Sequence, residues 1–325
     1  MNRGKKPKTS STLKLVTNRR GTSKTPVVLK SPESLCLYSE ENTANTIQFL
    51  NKIRAFEADQ HDRLIVDLSN LSKLTAAAAT LLFAYITNLQ ISYRINAVDV
   101  RLPEDKDTRQ RIVSSGLYKA LKPGGGKKLD NMWSDKEPRF LCGNNKKKND
   151  FLSIISKTLI ENESPRILTT AIAETLLNVH HHAYQDKDKS ITWWSYSHFD
   201  SDKHGKFIVC VVVDMGVGIA NRIKSAFPLL RVHDDSLCIE RAMERSVSST
   251  MINGRGQGSV NIKRPVSNFN LSGNDKLLIV SGTGTMAYIF QDEIFKSITA
   301  DRMQNAAIRG TMIEWKLYYE PINEN

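Results

Sequence analysis

The chain has 325 residues, of which 40% are hydrophobic and 25% charged, values typical of a soluble globular protein with about two domains. No apolar run reaches the roughly 18–20 residues of a membrane span, no apolar segment follows the basic N-terminus as in a signal peptide, and the four cysteines form no CxxC pair. These features argue against a membrane protein, a zinc site and a disulfide framework, and we expect a cytoplasmic protein. The formal net charge is +12.

Residues 1–30 are predicted to be a basic disordered tail. They contain nine Lys/Arg, no acidic residue, and many Ser, Thr and Pro. A second basic segment, residues 122–148, contains eight Lys/Arg and three acidic residues, so the rest of the chain is close to neutral. A basic tail can bind nucleic acid or an acidic surface. A solvated tail without a nucleic-acid partner explains the composition at least as well.

Strands alternate with helices over residues 31–121, and this order predicts an α/β domain with largely parallel strand pairing. The predicted strands span residues 34–38, 63–68 and 97–102, and the predicted helices span residues 44–56, 75–89 and 108–121.

Residues 122–150 interrupt this pattern with Pro-Gly-Gly-Gly-Lys-Lys and a run of Asn and Lys, which predicts a basic linker. A second domain at residues 151–320 is predicted to be α+β, with antiparallel strands covered by helices. Its predicted helices span residues 151–161, 164–183 and about 236–245, and its predicted strands span residues 190–197, 206–214, 276–281, 286–290 and 312–318. A Gly-Thr-Gly turn at residues 282–284 is predicted to join two strands.

A stripe of polar side chains is expected on the helix at residues 164–183. Glu174, Asn178 and His182 lie four residues apart and therefore share one face. An amide oxygen such as that of Asn178 can bind Mg²⁺, and a carboxylate one turn earlier can orient or deprotonate an attacking hydroxyl or water. His182 would extend the stripe toward the phosphates. In isolation this spacing usually marks a solvated helix surface.

Asp214 ends an apolar run, and Gly216 and Gly218 follow it. A buried carboxylate needs a donor, which the exocyclic amine of adenine would supply, and the glycines would leave room for the purine. An Asp-capped turn is the alternative interpretation.

Two later segments complete the predicted site. Gly254-Arg255-Gly256-Gln-Gly258 could wrap phosphates with backbone N–H groups, with Arg255 adding charge. Thr311 follows Gly310 at the start of the last strand, and its hydroxyl could join the adenine network. Either segment alone could be an ordinary loop or turn. Because the chain has no GxxxxGK[ST] run, a P-loop site is excluded.

In this order the four segments resemble the N box, G1 box, G2 box and closing Gly-Thr of the GHKL ATPase superfamily, over roughly residues 150–320. The run Ala171-Ile-Ala-Glu174-xxx-Asn178-xxx-His182-Ala-Tyr184 is most similar to the anti-sigma-factor serine kinases. This resemblance implies a fold in which helices cover one face of a mixed sheet.

The same resemblance implies ATP and Mg²⁺ as cofactors and assigns roles to the residues. Glu174 would be the catalytic base, Asn178 the magnesium ligand and Asp214 the adenine contact. Gly256 and Gly258 would belong to the ATP lid.

Residues 31–121 resemble a STAS domain, the usual antagonist partner of those kinases. The run Leu64-Ile-Val-Asp67-Leu-Ser-Asn-Leu-Ser-Lys-Leu-Thr75 and the alanines after it look like its central strand and next helix, and residues 109–117 look like its last helix. Where the antagonists carry Asp-Ser-Ser with a phosphorylated serine, this chain has Thr75-Ala76-Ala77. Alanine has no hydroxyl, so phosphorylation at these alanines is excluded.

The sequence leaves several functions open. The first is a protein serine/threonine kinase or partner-switching regulator that acts on a protein partner. The second is an ATP-gated dimerisation switch or slow ATPase of the gyrase B and MutL type, in which the chain would form a homodimer. A non-catalytic ATP-binding module and a histidine kinase are the others, although only His61 precedes the polar stripe.

Overall fold

The computed structural model describes residues 25–56, 63–186, 189–244, 257–268, 273–291, 294–301 and 306–320. It contains both helices and sheets, as predicted. No helix in these ranges is both long and apolar enough to cross a lipid bilayer.

The N-terminal layer contains a small parallel sheet. Its elements are β1 (Val27–Lys30), β2 (Ser34–Leu35), α1 (Glu40–Arg54), β3 (Leu64–Asp67), β4 (Lys73–Leu74), α2 (Ala76–Ser92), β5 (Val98–Arg101), α3 (Lys106–Ser114) and α4 (Leu117–Leu121). The strand order is β1-β3-β5, and β2 pairs with β4. All these pairings are parallel, so the predicted parallel arrangement is confirmed.

Three predictions in this layer are wrong. Residues 27–30 of the predicted tail form β1, because a short apolar run there pairs with β3. The predicted strand at residues 34–38 ends after two residues, since the Cys36 N–H bonds to a threonine hydroxyl of α1 instead of a neighbouring strand. The predicted helix at residues 108–121 is divided at Gly116, whose φ of 81° is incompatible with a continuous α-helix.

The second layer is a seven-stranded sheet in the order β11-β10-β9-β12-β8-β7-β6. Its strands and the helices around it are α5 (Gly126–Trp133), β6 (Phe140–Gly143), α6 (Lys148–Glu161), α7 (Ile167–Asn178), β7 (Trp193–Asp202), β8 (Gly205–Asp214), α8 (Ile219–Ala226), α9 (Asp235–Met243), α10 (Gly258–Asn268), β9 (Lys276–Gly282), β10 (Gly284–Gln291), β11 (Ile294–Asp301) and β12 (Ile308–Glu320). Neighbouring strands within the described ranges all pair antiparallel, so the expected mixed sheet is wrong. The predicted turn between β9 and β10 is confirmed.

The segment predicted as a linker, residues 122–150, is largely folded. It contains α5, β6 and the start of α6. Phe140, Leu141 and Cys142 are buried, and Phe140 lies opposite Tyr196 in the sheet. The prediction of a loop is wrong here, because three consecutive apolar residues supply an edge strand within an otherwise basic segment.

Helices cover both faces of the seven-stranded sheet, whereas one covered face was expected. Alternate strand residues face opposite sides. Trp193 shares a face with Ile313 and stacks on Phe151 of α6, with ring centroids 4.9 Å apart. Phe140 lies on the other face and contacts Phe83 of α2 at 5.5 Å.

Helix α2 therefore lies between the two sheets, in contact with β5 on one side and with β7, β8 and β12 on the other. Thirteen of its 17 residues are buried. A helix that is apolar on all sides is suited to such a position, because it exposes no face to water.

A buried carboxyl group joins the two layers. Glu314 of β12 is 4% exposed and accepts a hydrogen bond from the Tyr38 hydroxyl in the N-terminal layer. Burial raises the pKa of Glu314 to about 7, although the hydrogen bond from Tyr38 acts in the opposite direction.

Candidate functional site

A cavity of about 400 Å³ opens on the face of the seven-stranded sheet that carries α6, α7 and α10. This volume is in the range of small-molecule and cofactor sites. The polar residues around it are Glu174, Thr175, Asn178, His181, His182, Asp214, Arg222, Gln257, Ser259 and Thr311. Its apolar walls include Val212, Ile219, Ile223, Met243, Ile262 and Ile313.

Most of the predicted site residues meet in this cavity. Those that line it are Glu174, Asn178, His182, Asp214, Gly218, Gly258 and Thr311. Gly216 packs beside it, and Arg255 and Gly256 lie outside the described residues.

The helix that carries Glu174 changes form at its C-terminal end. α7 ends at Asn178 and continues as a π-helical turn, Val179–Ala183. A π-helix bonds each residue to the fifth one along, so the expected four-residue spacing is lost after Asn178, and the prediction of one regular helix over residues 164–183 is wrong in its last turn. Asn178 and His182 still border the cavity, with the Asn178 side chain exposed.

Helix α10 contacts Glu174, the predicted catalytic base. Asn261 Nδ2 donates to Glu174 Oε1 at 3.1 Å. A Cβ atom on Gly258, the first residue of α10, would lie 3.2 Å from Glu174 Oε2. A larger residue at position 258 would therefore crowd the carboxylate.

Asp214 lies at the buried end of the cavity. It is the last residue of β8, is 5% exposed, and accepts a hydrogen bond from the Gly216 N–H at 2.7 Å. Burial raises the pKa of Asp214 to about 7, while hydrogen bonds with Gly216 and Thr311 oppose the increase. Asp214 is thus a buried carboxyl group at the inner end of the cavity, where a hydrogen-bond donor would stabilise its ionised form.

Thr311 fixes the elements around Asp214. It lies opposite Asp214 in the β8–β12 register, and its Oγ1 accepts from the Ile219 N–H at 3.2 Å. Ser281 Oγ lies 3.4 Å from Thr311 Oγ1 and donates to the Gly310 carbonyl at 3.0 Å. These contacts connect β9, β12 and the start of α8, and Ser281 was not predicted as part of the site.

The two glycines after Asp214 serve close backbone packing. A Cβ atom on Gly216 would lie 2.1 Å from the Ala183 carbonyl oxygen, which accepts from the Val217 N–H at 2.9 Å. Gly218 has φ of 81°, and its Cβ would lie 2.7 Å from Ser281 Oγ. The expectation that Gly216 makes room for a ligand is therefore wrong, because this residue docks the loop on the π-helical turn.

Tyr184, six residues after Asn178, anchors the same loop. Its hydroxyl accepts from the Met215 N–H at 2.8 Å and donates to the Thr192 carbonyl at 3.0 Å. It thereby positions the residue that directly follows Asp214.

Several lining residues were missed by the sequence analysis. Arg222 follows the DxGxG run, and Gln257 and Ser259 flank Gly258. The spacing of Arg222 from Ile219 and Ile223 places all three on one face of a helix, but a helix of eight residues is too short for this pattern to identify a cavity face.

Asn178, the predicted magnesium ligand, lies at the cavity. Across the described ranges, no group of three or more His, Cys, Asp or Glu is arranged to hold a metal ion. The Asn178 side chain is exposed at the cavity and offers one amide oxygen. Mg²⁺ commonly takes one or two protein ligands and completes its shell with phosphate oxygens and water.

Comparison of the chain with protein-family models finds no matching family, and comparison with curated proteins finds no significantly similar sequence.

Proposed function

We propose that this cavity binds Mg-ATP and that the protein is an ATP-dependent regulator of the GHKL type. One observation carries the proposal: Asp214, Asn178 and Glu174 border a single cavity although they come from two separate elements. Their chemistry differs from end to end, with a buried carboxyl group at one end and an exposed amide at the other.

Each group has a role in this proposal. Asp214 accepts a hydrogen bond from the adenine amine, and the Thr311 hydroxyl supports the same end of the site. The Asn178 amide oxygen holds Mg²⁺, which when bound neutralises phosphate charge. Apolar side chains that line the cavity, such as Ile219 and Ile313, would enclose the adenine ring.

Glu174 extends the proposal to phosphoryl transfer. It lies one helical turn before Asn178 and borders the same cavity. A carboxylate there can accept the proton of an attacking hydroxyl, either from a serine or threonine of a protein partner or from water. We therefore propose a protein serine/threonine kinase or partner-switching regulator, with the N-terminal layer as a STAS-like domain.

The contact between Glu174 and Asn261 favours a second candidate, a non-catalytic ATP-binding module. In that case the carboxylate fastens α10 to α7 and takes no part in proton transfer. The two candidates differ in ATP turnover and agree on ATP binding.

Asn178→Ala is expected to remove the magnesium-dependent part of ATP affinity. Without Mg²⁺ the variant should bind ATP like the wild type, whereas with Mg²⁺ it should bind about tenfold or more weakly, because one metal ligand is lost. Isothermal titration calorimetry with and without Mg²⁺ measures this difference. Asn162→Ala, at an exposed asparagine after α6, is the matched control and should behave as wild type. Equal magnesium enhancement in Asn178→Ala and wild type would contradict the assignment.

Glu174→Gln is expected to retain ATP binding and lose phosphoryl transfer. Glutamine keeps an oxygen that can accept from Asn261 but is not a base, so hydrolysis or transfer should fall by about 10²–10⁴-fold. Radiolabelled γ-phosphate, with candidate protein partners present, provides the readout. Undiminished turnover in the variant would exclude Glu174 as the base, and a wild type that binds ATP without turnover would favour the binding module.

A further inference from the structure

Arg222 adds a cation to the predicted set of cavity residues. It lies in α8, where Ile219, Arg222 and Ile223 share one face and all border the cavity. Among the lining residues of the described chain, Arg222 is the only lysine or arginine. The positive charge of the described wall therefore depends on this side chain.

No acidic residue within the described ranges forms an ion pair with Arg222. Its neighbour Lys224 is engaged differently, since Lys224 Nζ lies 2.7 Å from Asp235 Oδ1. Glu174, one of the two acidic residues of the cavity, bonds to the neutral Asn261 amide. The two cations of α8 therefore differ: Lys224 forms an ion pair with Asp235, whereas Arg222 borders the cavity.

A cation at this position would offset part of the negative charge if the ligand is a phosphate ester. Glu174 and Asp214 add negative charge to the cavity when they are ionised, and phosphate groups would add more. A guanidinium group can bind two phosphate oxygens through parallel N–H donors. Arg222 is exposed, whereas Asp214 is buried. A nucleotide with its base at Asp214 would extend its phosphates toward the exposed side.

We infer that Arg222 binds the phosphate chain and makes the site selective for nucleotides over nucleosides. This inference rests on the proposed ATP site and adds a specificity-determining residue to it.

The experiment compares adenosine, ADP and ATP by calorimetry at low salt without Mg²⁺. Arg222→Ala should weaken ADP and ATP binding about tenfold or more and change adenosine affinity less than about twofold, because only the phosphates meet the guanidinium. Arg222→Lys should recover part of the loss, since it keeps the charge without the planar donor pair. Arg231→Ala, at an exposed arginine outside the cavity lining, should match the wild type.

The outcomes separate this inference from the function on which it rests. An unchanged ATP affinity in Arg222→Ala, or an equal loss for adenosine, overturns the role of Arg222 and leaves the ATP site standing. A wild type that binds none of the three ligands overturns both. Thermal unfolding tests whether each variant is folded. Because Arg222 is exposed, we expect its substitution to leave the unfolding temperature unchanged.

Discussion

Asp214→Asn is expected to weaken ATP binding by roughly a hundredfold while the protein stays folded. A hydrogen bond to a charged acceptor contributes about 1.5–3 kcal/mol. The neutral asparagine amide would lose most of this free energy in its contact with the adenine amine. The fold should tolerate the change, because the asparagine oxygen can still accept from the Gly216 N–H. Calorimetry at pH 8, where the wild-type carboxyl is ionised, measures the difference.

The protein offers a matched control for this variant. Asp275 is also buried, and burial raises its pKa to about 7, but it accepts a hydrogen bond from the Tyr318 N–H and does not border the cavity. Asp275→Asn should therefore leave ATP affinity unchanged. Equal affinities in wild type and Asp214→Asn would refute the assignment of Asp214 to adenine.

The raised pKa of Asp214 also predicts the pH dependence of binding. In the proposed site the ionised carboxylate would accept a hydrogen bond from adenine, and protonation of Asp214, whose pKa is raised to about 7, would compete with the ligand. Wild-type affinity should therefore fall about tenfold for each pH unit below 7 and level off above pH 8. Asp214→Asn should show no such slope, and Asp275→Asn should keep it.

The raised pKa of Asp214 affects folding stability in the opposite direction from ATP binding, because a lower pH favours the folded state. The folded protein holds the Asp214 proton more tightly than the unfolded chain, whose carboxyl has a pKa near 3.8. The stabilising contribution is present below about pH 4 and is lost as the pH rises through about 7. Asp214→Asn should thus be at least as stable as wild type at pH 8, so weakened binding cannot be attributed to unfolding.

The polar groups of the cavity could be predicted because each stands in a local pattern. Asp214 ends an apolar strand, and Glu174 and Asn178 are one helical turn apart. Their meeting in one cavity does not follow from those patterns, and it was expected only from the resemblance to a known superfamily. Arg222 belongs to a short helix whose periodicity is too brief to reveal which face is buried.

Glu314 illustrates what a single strand pattern cannot reveal. Its neighbours Ile313 and Trp315 are apolar and buried, so alternation along β12 would place Glu314 in water. Helix α2 covers that face instead, and the carboxyl group is buried beside Tyr38. The packing of one layer on another depends on residues more than 200 positions away, which no local periodicity encodes.

Gly310→Ala is expected to destabilise the protein by about 2–5 kcal/mol, because it combines backbone strain with a steric clash. Gly310 has φ of 83°, and a Cβ atom there would lie 2.0 Å from the Asp214 carbonyl oxygen. That oxygen belongs to the backbone of the paired strand, so it can yield only if β8 and β12 separate where Asp214 enters the cavity. ATP binding should be lost together with stability.

Gly116→Ala separates the two causes. Gly116 has nearly the same φ, 81°, but a Cβ atom there would meet no atom within 4 Å. This variant should be destabilised only by backbone strain, by about 1–2 kcal/mol, and should keep its ATP affinity. Urea unfolding of both variants gives the difference, which measures the close approach of β12 to Asp214. Equal losses would mean that the two strands can part at little cost, and the position of Asp214 would then not depend on a glycine at residue 310.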